Sequence, residues 1–214
     1  LEWLKDAGLQ YVTMGLEGSD HVNREVYGRK ETAASFLKGA RTVLESGLWL
    51  SIDYIIHNPY ETEEDLRAVA RTLNALPRPH WWTVCLSLTP FPGTPLYARC
   101  LKDGTLDRFA TDAYDSMLKP SRPGGYLTPS FWIDLITVVL PNVNPELGAR
   151  FIEAGAEDPR NAASVRSLAK AFRMAKRTTT WLRDRMPWLY AAAYRLLRLR
   201  AGRRVDFNEM NVLK

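Results

Sequence analysis

Three short runs carry most of the residues that could do chemistry. Gly15-Leu16-Glu17-Gly18-Ser19 sets a carboxylate between two glycines, and His57-Asn58-Pro59-Tyr60-Glu61-Thr62 sets an imidazole and an amide before a proline. The third, Ser87-Leu88-Thr89-Pro90, sets two hydroxyls before another. Glycines let a ligand approach the backbone closely. Glu17 can accept hydrogen bonds from hydroxyls or an ammonium group, or it can be a carboxylate satisfied by a nearby loop. His57 is either a ligand-facing imidazole or a strand-end residue bonded to solvent. Asp53, two turns of the strand pattern earlier, is a second carboxylate facing the same way as His57.

Several chemistries are excluded by composition and motif. The two cysteines, Cys85 and Cys100, lie fifteen positions apart, which rules out a cysteine-built zinc site, a CxxC redox motif and a disulfide scaffold. Cys85 reads as a small packing residue. His21 and His80 lie next to turns and suggest no metal set. No phosphate loop, GxGxxG or Ser/His/Asp constellation is present in the sequence. Most tryptophans, such as Trp3, Trp49 and Trp181, read as helix or strand burial, and Trp81-Trp82 as the plug at the base of a sheet.

Each of the three runs ends a strand-like segment. Tyr11–Glu17, Trp49–Ile56 and Trp81–Leu88 are β-rich, and helical patterns separate them. Ala33, Phe36, Leu37, Ala40 and Leu44 share one face, with Gly47 closing that helix. Thr62-Glu63-Glu64-Asp65 is a capping-box variant opening a helix that buries Leu66, Val69, Ala70 and Leu73. Strands joined by helices read as parallel, so the fold class is α/β: a sheet or barrel with crossover connections.

Strand parity sharpens this. Val12, Met14, Leu16, Ile52, Tyr54, Ile56, Val84, Leu86 and Leu88 form the apolar set, expected against the helices. The alternate set is Thr13, Gly15, Glu17, Ser51, Asp53, Ile55, His57, Thr83, Cys85, Ser87 and Thr89, which is expected to face a cavity. A closed eight-stranded barrel fills its interior with aliphatic side chains. A polar row therefore predicts an open, partial (β/α) barrel of the TIM-like kind, with its site at the C-terminal strand ends.

The three strand ends, in this order and spacing, resemble the second half of the radical SAM core. The family's fourth strand commonly ends in GIESGS, where this chain has GLEGSD at Gly15–Asp20. Its fifth continues like FILGLPGETEED, where this chain has YIIHNPYETEED at Tyr54–Asp65. Its sixth precedes a TPYPGTPLY-like run, here TPFPGTPLY at Thr89–Tyr97. The HNPYETEED and LPRP runs look most like members that also carry a cobalamin-binding domain. Departures are His57 and Tyr60 where the family often has glycine, the inverted Gly18-Ser19, and the absence of CxxxCxxC, whose thiolates hold a 4Fe–4S cluster.

The resemblance implies that this chain is a fragment contributing strands four to six to a barrel that binds S-adenosylmethionine and a 4Fe–4S cluster, with cobalamin in the subfamily named. It implies cofactor-facing roles for Gly15, Glu17, Asp53, Ile55, His57, Asn58, Ser87 and Thr89. Glu17 would sit near the ribose or amino end, and Ile55 with the backbone at His57 and Asn58 near adenine. Ser87 and Thr89 would line the far wall, and Asp53 and His57 could face substrate instead. No metal ligand is assigned, and the chain is expected to be inactive alone and to need the missing N-terminal half of the barrel. A cluster-free TIM-like enzyme, or a non-catalytic basic module, is the rival reading.

The layout predicted is a barrel half over 1–107, a loop-rich connection with short helices over 108–160, and a basic helical extension over 161–214. The first residues lack an initiator Met and read as the end of a helix with Gly8 past its C-terminus, so the chain is expected to begin inside a domain. Residues 1–159 carry 15 Lys+Arg against 21 Asp+Glu, and residues 160–214 carry 14 against 3. A basic tail meets something anionic. Pro187 to Arg204 joins Trp188, Leu189, Ala192, Ala193 and Leu196 to five arginines, so it fits either an anionic membrane surface or the acidic body of its own chain. No nucleic-acid motif is present, and no run approaches the ~20 apolar residues of a membrane span. The expected location is cytoplasmic, with peripheral membrane contact through 187–204 as the variant.

Overall fold

The computed structural model describes residues 1–78, 80–106, 128–187 and 189. The stretch 187–204 that carries the membrane expectation lies almost wholly outside them. Two units divide the chain, residues 1–166 and 167–214.

In the first unit, α1 (Glu2–Asp6) leads through Gly8, at φ 100°, into β1 (Tyr11–Glu17). Next come α2 (Asp20–Glu25), α3 (Ala33–Glu45), β2 (Trp49–Ile56), α4 (Glu63–Asn74), β3 (Trp81–Ser87) and α5 (Pro95–Lys102). The strands form one parallel sheet in the order β1-β2-β3. The α/β class with parallel strands read from the sequence is therefore what the chain adopts.

Helices begin where side chains satisfy their first amides. Ser19 caps α2, Thr32 and Ser35 form a capping box on α3, and Thr62 and Asp65 form one on α4. Asp65 does more than cap its own helix. It accepts from Ser19 Oγ at 2.5 Å and from Thr62 Oγ1 at 2.6 Å, and it meets His21 Nδ1 at 3.2 Å. One buried carboxylate thus ties the starts of α2 and α4 together.

Pairing register decides the faces, because laterally paired residues point to the same side. Val12, Met14, Leu50 and Ile52 share the helix-covered face, where the methyl of Met14 lies against Gly39 of α3. Trp81 pairs with Leu50 and Thr83 with Ile52, so Trp81, Thr83, Cys85 and Ser87 point into the helix layer. This corrects the expected parity of β3. Val84 and Leu86, expected against the helices, are 38% and 49% exposed on the other face, and Thr83, Cys85 and Ser87, expected toward a cavity, take the covered one. The physical reason is register: pairing with the buried Leu50 puts Trp81, at 2% exposure, on the covered face and sets every second residue after it.

Behind β3 lies a layer that continues from α6 (Ser130–Asp134) through a π-helical turn (Leu135–Val139) and a 3-10 turn (Leu140–Asn142). It buries Phe131, Trp132, Leu135, Ile136, Val139 and Leu140 against β3 and α4. Thr83 Oγ1 donates to Ile136 O at 3.4 Å, satisfying a hydroxyl on the covered face. α7 (Pro145–Ala154) packs on α4, where Arg67 donates to Glu153 O at 3.0 Å and Arg71 pairs with the Glu153 carboxylate. α8 (Pro159–Arg185) begins in this unit, with Asn161 donating to Phe151 O and Gly155 O.

The tryptophans divide. Trp81 and Trp132 are buried and Trp49 is half-buried, but Trp3 is 79% and Trp181 56% exposed. The burial expected for the latter two is corrected: α1 buries none of its residues, and in the second unit α8 is exposed at every position from Arg173 to Thr179. At the base of the open sheet face, Trp82 lies 5.8 Å from Tyr11 and 6.1 Å from Trp49, ring centre to ring centre. Among the described residues, no helix is long and apolar enough to cross a membrane.

Candidate functional site at the strand ends

Among the described residues, two that are not glycine have left-handed backbone: Glu17, at φ 63°, and His57, also at φ 63°. They end adjacent strands on the same edge of the sheet. Such conformations persist only where the surroundings enforce them, and they gather at functional sites. Here the enforcement is visible at both.

At Glu17 the pairing of β1 with β2 slips by one residue, and Gly18 N donates back to Leu16 O at 2.7 Å. Glu17 is therefore the centre of a three-residue turn. Its carboxylate folds over Gly15, where a methyl group would stand 2.5 Å from Oε1, and bonds Arg29 Nη1 at 3.1 Å. A side chain at position 15 would have to push that carboxylate aside, so Gly15 leaves the space that Glu17 occupies. Gly15 and Asp53 are lateral partners on the uncovered face, beneath Glu17.

At His57 the backbone amide donates to Thr128 Oγ1 at 2.7 Å, and Thr128 N donates to His57 Nδ1 at 3.0 Å. Nδ1 is an acceptor, so the ring is neutral with its proton on Nε2, and burial lowers its pKa below the usual imidazole value. Asn58 is fully buried. Its Nδ2 donates to Tyr27 OH at 3.2 Å and its Oδ1 accepts from Tyr60 N at 3.0 Å. Asn58 thus holds the loop in shape.

A cleft of about 560 Å³ opens beside these residues. Its walls are the loop after α2 with Tyr27 and Arg29, Ile55 of β2, and Leu88 to Phe91 beyond β3, closed by Leu96 and Arg99 of α5. Arg99 is held over the Tyr60 ring at 3.9 Å and donates to Glu25 O at 2.9 Å. The cleft therefore combines an apolar wall with hydroxyl and guanidinium groups, a lining suited to a small ligand with a flat apolar part and polar ends.

Of the residues singled out from sequence, Ile55 and Thr89 line this cleft. Gly15, Glu17 and Asp53 stand together at the end of β1 outside the cleft lining, and Glu17 is tied to the lining through Arg29. His57 and Asn58 shape the β2 loop. Ser87 alone is turned away, paired with Ile56 on the helix-covered face. Sequence reasoning passed over Tyr27, Arg29, Phe91 and Thr128, which reach the site from loops, and Arg99, which reaches it from α5. Gly28, at φ 65° between Tyr27 and Arg29, marks a turn whose partner only the fold reveals.

Beneath the site lies a buried acid. Tyr54 OH donates to Glu61 Oε1 at 2.6 Å, and burial pushes the Glu61 carboxyl up to about 8 and the Tyr54 phenol far above its ordinary value. Burial likewise pushes the Cys85 thiol up to about 12. A thiol held protonated is neither a nucleophile nor a ready metal ligand. Ser19, His21 and Asp65 do not form a nucleophilic triad, because Ser19 Oγ donates to the carboxylate and not to the imidazole. Among the described residues, no three His, Cys, Asp or Glu are placed to hold a metal ion. No protein-family model matches the chain, and no curated protein matches it at a significant level.

Proposed function

We propose that this chain supplies the second half of a partial (β/α) barrel of the radical SAM type, with a site at the C-terminal ends of β1, β2 and β3. The observation that carries the reading is the convergence of its three motif-bearing strand ends on one edge of a parallel sheet, around one cleft. The left-handed backbone at His57 supports it, since a position the family often fills with glycine has a backbone that favours glycine here. The uncovered sheet face supports it too, because a barrel half leaves its inner face for other elements and ligands.

The residues fit the two cofactors differently. Cys85 and Cys100 do not fit a 4Fe–4S cluster: they are too few for three thiolates, Cys100 is buried, and the Cys85 thiol resists deprotonation. A cluster would have to be held by a different part of the enzyme. For S-adenosylmethionine the fit is better. Glu17 offers an acceptor for an ammonium or ribose hydroxyl group, and Ile55, Leu88 and Phe91 offer a wall for a purine. Bound there, S-adenosylmethionine would be the source of the adenosyl radical, while the protein orients it and keeps water out. Cobalamin has no residue assigned to it here.

The test is made in the intact enzyme that this reading requires, in which a CxxxCxxC-bearing half is joined to or co-purifies with this chain. Glu17→Ala should reduce 5′-deoxyadenosine release by more than about tenfold, the loss of one charge-assisted hydrogen bond, with the melting curve unchanged. A cluster-free enzyme that turns over without S-adenosylmethionine would overturn the proposal, as would unchanged 5′-deoxyadenosine release.

A further inference from the structure

The second unit contains a surface that the strand-end site does not use. From Arg173 to Thr179 every residue of α8 is exposed. Two apolar side chains stand in water, Met174 within this stretch at 54% and Trp181 just beyond it at 56% exposure. At 3.6 residues per turn, positions seven apart fall within about 20° of each other, so these two form one short stripe. Lys170, Arg177 and Arg185, all exposed, fall within about 60° of it. Ala169 and Phe172, the buried and half-buried residues of this stretch, lie more than about 120° away. The stripe therefore points away from the side by which the helix packs. Among the described residues of this stretch, the carboxylate is Asp184, which is paired with Arg183 at 2.9 Å.

An indole and a thioether flanked by cations on an exposed helix face match one kind of partner closely. The cations match anionic headgroups, and the apolar pair matches the shallow boundary between headgroups and acyl chains, where indole is favoured. A nucleic-acid backbone would satisfy the cations but leave Met174 without a partner. We infer that this face of α8 docks on an anionic lipid bilayer, with Trp181 and Met174 inserted and Lys170, Arg177 and Arg185 at the headgroups. Two apolar residues give little insertion, so attachment is mainly electrostatic and weakens with salt. The inference is independent of the radical SAM reading.

Adjacent residues give a sharp test. Around the helix Arg177 lies within about 60° of the stripe and Lys176 more than about 120° from it, so Arg177→Gln and Lys176→Gln remove the same charge near the stripe and far from it. The whole chain is sedimented with vesicles of phosphatidylcholine, with and without one third phosphatidylglycerol, at low and high salt. Binding should require phosphatidylglycerol and fall at high salt. Arg177→Gln should weaken it about fivefold, one cation's share at a membrane surface, and Lys176→Gln by less than about twofold. Trp181→Ala should weaken it about tenfold. Equal losses for the two glutamine variants, binding to pure phosphatidylcholine, or no effect of Trp181→Ala would overturn the inference. So would a duplex oligonucleotide bound as tightly and lost through the same variants. Far-UV circular dichroism of each variant establishes that the helix is intact.

Discussion

Replacing Glu61 by glutamine should make the protein more stable, and only at the upper end of the pH range. The carboxyl is buried against Tyr54 and titrates at about 8, against 4.5 for an ordinary glutamic acid. Below the lower value both folded and unfolded chains carry the proton, and the group adds no pH dependence. Between the two values the unfolded chain releases the proton while the folded chain keeps it, so stability falls as pH rises, by ~1.4 kcal/mol per unit. Integrated over the interval, the loss reaches ~5 kcal/mol near pH 8 and then levels. Glutamine has nearly the same shape, keeps an oxygen for the Tyr54 hydroxyl and does not titrate. Urea unfolding followed by circular dichroism, at several pH values from below 4.5 to above 8, measures the difference. The two proteins should agree within ~1 kcal/mol at the acid end and diverge steadily above it, with Glu61→Gln the more stable. Parallel curves would refute the reasoning, because they would mean that Glu61 titrates alike in folded and unfolded chains.

Asp65→Asn should destabilise the fold by ~2–3 kcal/mol, since it weakens the caps of α2 and α4 together. The Asp65 carboxyl is held below its ordinary value, so the wild-type advantage, present above that value, should disappear in urea titrations as pH falls through the folded pKa. Trp132→Ala should cost ~3–5 kcal/mol in the same assay, because a fully buried indole packed edge-on to Phe131 at 4.9 Å leaves a cavity. Gly15→Ala should change stability by less than ~1 kcal/mol yet displace the Glu17 carboxylate from Arg29, which a carbon-13 shift of the Glu17 carboxyl reads directly.

The strand and helix spans were legible because each has its own local signature. Trp49–Ile56 lies between Gly47 and Asn58-Pro59, and Thr62 with Asp65 announces α4. The facing of β3 was not legible: Trp81 and Trp82 are both large and aromatic, so alternation starting from either is self-consistent, and only pairing with Leu50 separates them. The run Phe131–Leu140 reads as apolar without a period of its own, because its π-helical turn departs from the usual helical repeat. The site divides in the same way. Glu17 and Ile55 announce themselves through strand position, whereas Arg29 and Thr128 reach it across 12 and 71 residues from their partners Glu17 and His57, distances that only the fold collapses.

The layer behind β3 has a consequence for the order in which the chain can become stable. Pairing β1 with β2, and β2 with β3, already closes long loops, as parallel strands must. The cover for Trp81 and Thr83 comes later still, 53 residues beyond Thr83 at Ile136. A nascent chain grows from its N-terminus, so β3 emerges well before the residues that seal its apolar side. Until Leu140 is made, that side is open to solvent and to other chains. Synthesis halted before Leu140 should therefore leave a sheet that is open to proteases and prone to association, and completion of that turn marks the point at which the first unit can close.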